Sequence, residues 1–335
     1  MTIRQFTTRS GHQIVRIPVE VFPNFWATIY VVQAGEYRVL IDIGSGFNTA
    51  NEQVLAGLDA ASAALGQPMG LPDLTHILIT HGHIDHYGGL TQLRPQTSAQ
   101  VGVHELDLRI LTNYEERTAI VTHRLSGYLV ECGLAPARHS ELMNLYSVNK
   151  SLYQSSEVDF TFEAAGMQLG PFEFLHVPGH CSGQVVIKLD EVLFAGDFVL
   201  SRTTPHMAPE SLSLNTGLTH YLESLDRIRP WVTDVELTLP GHEDEIRDLD
   251  ERIDAIKAHH VDRLQKTLDL LAEPGTVSEV SDGLFGDPQG YNALLAIEEA
   301  GAHVEYLYTR GQLGISNLED AQDRSDPVPL KYVRL

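Results

Sequence analysis

The sequence predicts an α/β fold in which strands deliver polar side chains at their ends. Three observations predict it. The run Thr80-His81-Gly82-His83-Ile84-Asp85-His86-Tyr87-Gly88-Gly89 follows directly on the apolar stretch Ile77-Leu78-Ile79. Apolar residues at helical spacing stand between extended stretches on either side of it. Further down the chain, a second group of extended stretches also ends in His and Asp.

The elements follow in order. Gln13-Ile14-Val15-Arg16-Ile17-Pro18, Ala27 to Val32 and Tyr37 to Asp42 read as strands of an antiparallel meander, with Gly35-Glu36 as a hairpin connection. From Asn51 to Leu65, Val54, Leu55, Leu58, Ala61 and Leu65 keep helical spacing, and Gly66 stops the run. Ala99 to His104 is a further strand, with His104 read as structural. From about Glu105 to Glu157 the character turns helical, over Leu106 to Ala119, Arg124 to Cys132 and Glu141 to Ser147. Strands return at Val158 to Phe162, Met167 to Leu169 and Phe172 to Val177. A hairpin across Asp190-Glu191 joins Gln184 to Leu189 with Val192 to Phe194. A helix over Leu218 to Ile228 precedes the strand Val235 to Leu239. The tail predicts a long helix from about Asp250 to Leu271, a capping box at Thr276-Val277-Ser278-Glu279, a helix from about Tyr291 to Tyr308 and a terminal extended run at Leu330 to Val333.

The histidine run carries the chemistry. Three histidines and an aspartate fall within six residues. On an extended or turning backbone, residues two apart point the same way, so His81 and His83 close on one cation while Asp85 and His86 turn towards a second. Neutral imidazole and carboxylate, with no cysteine in the run, suit Zn²⁺, with Mn²⁺ or Fe as alternatives.

This stretch resembles the signature of the metallo-β-lactamase fold superfamily. The resemblance continues in order through Pro178-Gly179-His180, Phe194-Ala195-Gly196-Asp197 and Leu239-Pro240-Gly241-His242. It implies an αββα sandwich with a helical insertion and two divalent metal ions, most simply Zn. His81, His83 and His180 would hold one metal; Asp85, His86 and His242 the other; Asp197 would bridge them. Asp42, in Leu40-Ile41-Asp42-Ile43-Gly44, matches the family's buried aspartate behind the metals, and on sequence alone it equally suits a turn. Cys181 reads as a small residue filling the turn after His180, or as an extra ligand. The segment Asp197 to His206 resembles a subgroup with a small winged-helix-like C-terminal appendage. The implied organisation is a catalytic domain over 1–250, interrupted by the helical insertion at about 105–157, and a helical, winged-helix-like domain over 251–335. The insertion is a candidate lid presenting Tyr114, Tyr128, Tyr146, Tyr153, Arg124, His123 and Arg138, or a helical cap whose tyrosines pack its underside.

The implied activity is metal-dependent hydrolysis of an ester or thioester by a metal-bridging hydroxide. Asp85 would orient that hydroxide and carry a proton to the leaving group. The turn at Pro178 to Gly183 resembles the glyoxalase II and thioesterase-like branch, with Cys181-Ser182 where the family often has Thr-Pro. Lactonase and phosphodiesterase activities use the same ligand set. In another class stand di-iron redox proteins and ligand-binding proteins. The expected partner is a small acyl substrate. A formal charge of −22 disfavours nucleic acid. The tail segment 251–335 carries eight Lys/Arg against fifteen Asp/Glu, so its expected role is packing or homodimerisation, not DNA binding. No run approaches the roughly 18 apolar residues of a membrane span. The two cysteines, Cys132 and Cys181, fit a reducing compartment, and the expected address is cytoplasmic.

Overall fold

The computed structural model describes residues 2–322 and 326–335. The meander comprises β1 (Arg4–Thr7), β2 (Gln13–Phe22), β3 (Phe25–Ala34) and β4 (Tyr37–Ile41), each antiparallel to the next. Gly35 turns the β3–β4 connection with a φ of 60°, a left-handed conformation that costs glycine little. Helix α1 (Ala50–Leu65) ends at Gly66 in the same conformation, its N–H on Ser62 O. Strands β5 (His76–Leu78), β6 (Gln100–Val103) and β7 (Phe160–Thr161) then add in parallel to complete a seven-stranded sheet.

Between these strands lie α2 (Ile84–Tyr87), α3 (Leu90–Leu93), α4 (Glu105–Thr112), α5 (Tyr114–Glu131) and α6 (Pro136–Lys150). The helix expected over Leu106 to Ala119 is therefore two. Asn113, with φ −128° and ψ 46°, leaves the helical region and separates α4 from α5. A five-stranded sheet follows, from β8 (Gln168–Leu169), β9 (Phe172–His176), β10 (Val185–Leu189), β11 (Val192–Gly196) and β12 (Leu237–Pro240), ordered β12-β11-β10-β9-β8. The remaining elements are α7 (Leu218–Ile228), α8 (Leu249–Leu270), α9 (Val277–Phe285), α10 (Tyr291–Thr309), β13 (Leu313–Ile315), α11 (Leu318–Gln322) and β14 (Tyr332–Arg334), with β13 and β14 antiparallel.

Strand alternation divides the side chains of the first sheet between two cores. In β3, Ala27, Ile29 and Val31 join Val15, Ile17 and Val19 against Val54 and Leu58 of α1. Tyr30 and Val32 point the other way and pack with Phe172, Phe174, Val185, Ile187 and Phe194 of the second sheet. The two sheets thus share one apolar interior, the sandwich of the metallo-β-lactamase fold. No helix among the described residues is long and apolar enough to cross a membrane.

The chain divides into two compact units. The first comprises Met1–Tyr114, Tyr153–Pro205 and Ser224–Ile253; the second comprises Glu115–Leu152, His206–Glu223 and Asp254–Leu335. The sequence placed one insertion at about 105–157. Instead, α4 groups with the sheets, while α5 and α6 group with the tail, because their apolar residues build a different core. In that second core Leu125, Leu129 and Leu142 pack with Val277, Val280, Leu294 and Ile297. Tyr128 donates to Ile297 O at 3.4 Å, and Tyr146 is buried, so these two tyrosines pack the underside of their own helices. Tyr114 and Tyr153 pack instead in the core of the first unit. The capping box forms as read, Thr276 Oγ1 accepting from Glu279 N and Thr276 N donating to Glu279 Oε2 at 2.7 Å.

Candidate metal centre

All seven predicted ligands lie in the first unit, and each stands just past a strand. His81 and His83 follow β5, and α2 carries Asp85 and His86 on one helical turn beginning at His83. His180 follows β9, Asp197 follows β11 and His242 follows β12. Hydrogen bonds bring the last two together, since Gly241 N donates to Gly196 O at 2.7 Å. A Cβ at Gly241 would lie 2.5 Å from Asp197 Oδ1 and 2.7 Å from His86 Cε1, so only glycine fits between these groups.

The side chains converge in overlapping groups. His81, His83 and His180 form one trio and Asp85, His86 and His242 another, with ligand atoms in each within 4.8 Å of one another. His81 Nε2 lies 3.0 Å from His83 Nδ1. Asp197 spans the two trios. Its Oδ1 is 3.3 Å from His86 Nε2, and its Oδ2 is 3.2 Å from His242 Nε2 and 3.7 Å from His180 Nε2. Asp85 Oδ2 stands 3.3 Å from His242 Nε2. His81, His86, His180, Asp197 and His242 are buried; His83 and Asp85 are half-buried.

The supporting hydrogen bonds fix which nitrogen faces inward. His86 Nδ1 donates to Asp42 Oδ2 at 2.7 Å, and His242 Nδ1 donates to Trp26 O at 2.7 Å. Thr80 donates its hydroxyl proton to Asp42 Oδ2 at 2.9 Å, so its oxygen accepts from His81 Nδ1 at 3.1 Å. In all three histidines Nε2 is turned to the common centre, the arrangement by which outer hydrogen bonds orient metal ligands. Asp42 therefore acts behind the centre. Its backbone holds φ 59°, which directs the carboxylate back onto Thr80 N and His86.

The electrostatics are those of a site with surplus negative charge. Burial works to lower the pKa of His86, but Asp197, Asp42 and Asp85 outweigh it and hold the value well above the ordinary range. Burial likewise opposes a charged His242, which Asp197 and Asp85 hold up at about 10. Burial would raise Asp197 and Asp85, yet the neighbouring histidines keep both carboxyls well below their usual values. His81 is pushed well below its ordinary value by burial and by His86 and His83. Among these groups His86 Nε2, Asp197 Oδ1 and His242 Nε2 are buried and make no hydrogen bond. Buried polar atoms paired only by charge, without hydrogen bonds, are costly, and here they converge from three separate segments. These nitrogen and oxygen donors fit divalent metal ions.

Two contributors escaped the sequence reading. Phe25 sets its ring 4.7 Å from that of His242 and is 46% exposed. Asp107, fully buried at the start of α4, accepts from Gly82 N at 2.6 Å and Gly183 N at 2.8 Å. An acid in the first turn of a helix is common for reasons of capping and dipole, so nothing in the spacing marks it. Cys181 is not aimed at the ligands; its thiol donates to Asp107, with Oδ2 at 3.3 Å. His104 has the structural role expected of it, capping α4 through Nδ1 and pairing with Glu163 at 2.6 Å.

A family model described as the metallo-beta-lactamase superfamily matches residues 27–273. A metallo-beta-lactamase fold-containing protein of Sulfurisphaera tokodaii is 28% identical over 234 residues, 65% of this chain and 73% of that protein. A hydroxyacylglutathione hydrolase of Shewanella baltica is 25% identical over 173 residues, 52% of this chain but only 43% of the relative's length. Among solved structures, a metallo-beta-lactamase family protein from Thermus thermophilus superposes with a TM-score of 0.75 at 25% identity, covering 96% of this chain and 98% of that one. A beta-lactamase domain protein from Burkholderia ambifaria shares the fold with a TM-score of 0.71 at 18% identity, over 99% of this chain and 94% of its own.

Proposed function

The chain belongs to the metallo-β-lactamase superfamily, and from that premise we propose that it is a binuclear metal-dependent hydrolase of a thioester or carboxylic ester, with Zn²⁺ as its metal. The observation that carries the proposal is the convergence of His86 Nε2, Asp197 Oδ1 and His242 Nε2 as buried atoms without hydrogen bonds. His81, His83 and His180 would hold one ion, and Asp85, His86 and His242 the other. Asp197, with an oxygen directed to each trio, would span them. Bound there, two divalent ions supply a hydroxide at neutral pH and polarise the substrate carbonyl.

The chain's own residues do the rest. Asp85 is half-buried and so reaches both the centre and the solvent side. It orients the attacking water by accepting its hydrogen bond and passes a proton to the leaving sulfur or oxygen. Asp42 and Trp26 O keep His86 and His242 in the tautomer that offers Nε2. Phe25 supplies an apolar wall beside His242. Two features favour an acyl substrate: the Pro178 to Gly183 turn, which resembles the thioesterase-like branch, and the distant match to the Shewanella hydrolases. We read α8, α9 and α10 followed by the β13–β14 pair as a winged-helix-like appendage whose acidic balance disfavours DNA.

The test is elemental analysis of the purified protein together with rates on an acyl-thioester, a lactone and a bis-aryl phosphodiester. About two metal ions per chain and cleavage of the thioester are expected, with kcat about 10²–10⁴-fold lower in Asp85→Asn. Cleavage of the lactone or phosphodiester alone would move the assignment to that bond. Two iron atoms with oxygen consumption and no hydrolysis would replace it with a redox function.

A further inference from the structure

We infer that Asp107 is a positioning residue that sets the affinity of the first metal position, held by His81, His83 and His180, and leaves the second largely alone. The inference rests on the binuclear reading above and concerns how this chain builds it. Asp107 lies in the first turn of α4 and is fully buried. A buried carboxylate is tolerated only where donors satisfy it. Its donors come from two segments far apart in sequence. Gly82 N, between His81 and His83, donates to Oδ2; Gly183 N and the Cys181 thiol, from the turn that carries His180, donate to Oδ1 and Oδ2. One rigid carboxylate therefore sets the separation of the two loops whose histidines form the first trio.

The surrounding packing is built to the same end. A Cβ at Gly183 would lie 2.5 Å from Asp107 Cγ, and one at Gly82 would lie 3.2 Å from it, so at both positions bare backbone meets the carboxylate, with the Cys181 thiol beside it. The start of α4 is itself fixed. His104 Nδ1 accepts from Leu106 N, His104 pairs with Glu163 and Asp107 N donates to His104 O at 3.0 Å. The second trio is braced by other groups. Asp42 takes His86 Nδ1 and Trp26 O takes His242 Nδ1, and neither bond involves Asp107. Two buried carboxylates thus brace the centre: Asp42 stands behind His86 and, through Thr80, behind His81, while Asp107 reaches across the loops of the first trio alone.

An asparagine at 107 keeps the shape but has one acceptor oxygen for two backbone N–H groups. Its amide N–H₂ would face one of them. The experiment is calorimetric titration of Co²⁺ into chelator-treated protein. His180→Ala and His242→Ala assign the two binding steps by removing one each. In Asp107→Asn the step removed by His180→Ala should weaken about 10–100-fold, the range for loss of an outer hydrogen-bonding partner, while the other step holds within about threefold. Asp42→Asn should weaken both steps, since Asp42 holds His86 directly and His81 through Thr80. Equal weakening of both steps in Asp107→Asn, or no change in the first, overturns the inference while leaving the binuclear reading intact. Wild-type protein that takes up no Co²⁺, or one ion only, sinks that reading instead. If Asp107→Asn gives no cooperative thermal transition, Gly183→Ala carries the test, because its methyl displaces the carboxylate while keeping the charge. The same selective weakening is then expected, and its absence is equally decisive.

Discussion

Among the described residues each unit holds a buried histidine cluster that brings potential metal ligands together, and the two are charged differently. In the first unit five histidines meet Asp85 and Asp197, with Asp42 behind. In the second, His260 of α8 and His303 and Glu299 of α10 also bring potential ligand atoms within 4.8 Å. The nitrogen spacings are alike: His260 Nδ1 is 3.2 Å from His303 Nε2, against 3.0 Å for His81 and His83. What differs is the charge that the carboxylate faces. Glu299 is taken up by Arg263 at 2.5 Å and by Met207 N at 2.7 Å. The guanidinium occupies the place of a cation. His303 donates Nδ1–H to Glu299 O at 2.7 Å, so its Nε2 accepts from His260 Nδ1. Burial pushes His303 down to about 4 and, with His303 and Arg263 adding to it, holds His260 well below its ordinary range. Both imidazoles are neutral and hydrogen-bonded in series. The carboxylate of the second cluster is already matched to an arginine, whereas Asp85 and Asp197 of the first face histidines, so we expect metal at the first.

The largest effect expected from this contrast is on metal-linked stability. Zn²⁺ at about a thousand times its Kd should stabilise the protein by about 4 kcal/mol for each of two sites. Thermal unfolding with and without metal checks it. His260→Ala should keep the whole gain, whereas His180→Ala combined with His242→Ala should lose it. A gain that disappears in His260→Ala would place metal in the second unit and break the contrast.

A smaller effect follows from the arginine. Arg263→Met leaves Glu299 buried without its partner, which costs about 3–5 kcal/mol. Urea unfolding at about pH 8 measures it, and a loss below about 1 kcal/mol would mean that Glu299 is satisfied without the guanidinium.

The smallest effect is a slope. Below about pH 6.5 an unfolded histidine takes a proton that folded His303 refuses until about pH 4, so its contribution is present above 6.5 and is lost as the pH falls through that window. Glu299 runs the other way. Burial, only partly offset by Arg263, raises it to about 7 from 4.5, so its contribution is full below 4.5 and is lost as the pH rises through 7. The two oppose each other between 4.5 and 6.5. Glu299→Gln should unmask the histidine and steepen the loss of stability with acid by up to about 1.4 kcal/mol per pH unit. Parallel pH–stability curves for variant and wild type would show that Glu299 is not raised in the fold.

The two clusters also differ in how well the sequence displays them. The ligands of the first are adjacent in the chain or stand after short apolar strands, so spacing displayed His81, His83, Asp85 and His86, while the family resemblance added His180, Asp197 and His242, and the fold brings the seven side chains together. His260 and His303 lie on different helices, and no local spacing joins them. Asp107 was hidden for a related reason, because its work is to hold backbone N–H groups that carry no side-chain signature. The meander was legible from the extended runs of β2, β3 and β4, and the sandwich followed from the family resemblance. The grouping of α5 and α6 with the tail was not, since helical periodicity says which face is apolar and not which apolar surface it meets.

Gly241 sets a tight tolerance between two ligands of the first cluster. With Asp197 Oδ1 at 2.5 Å and His86 Cε1 at 2.7 Å from where a methyl would stand, the position separates two ligand-bearing loops by the thickness of a bare backbone. In a saturation library at the centre, ligand positions should tolerate the exchange of one donor for another. Position 241 should return glycine alone. It has no side chain to offer a metal, yet its allowed alphabet has a single letter.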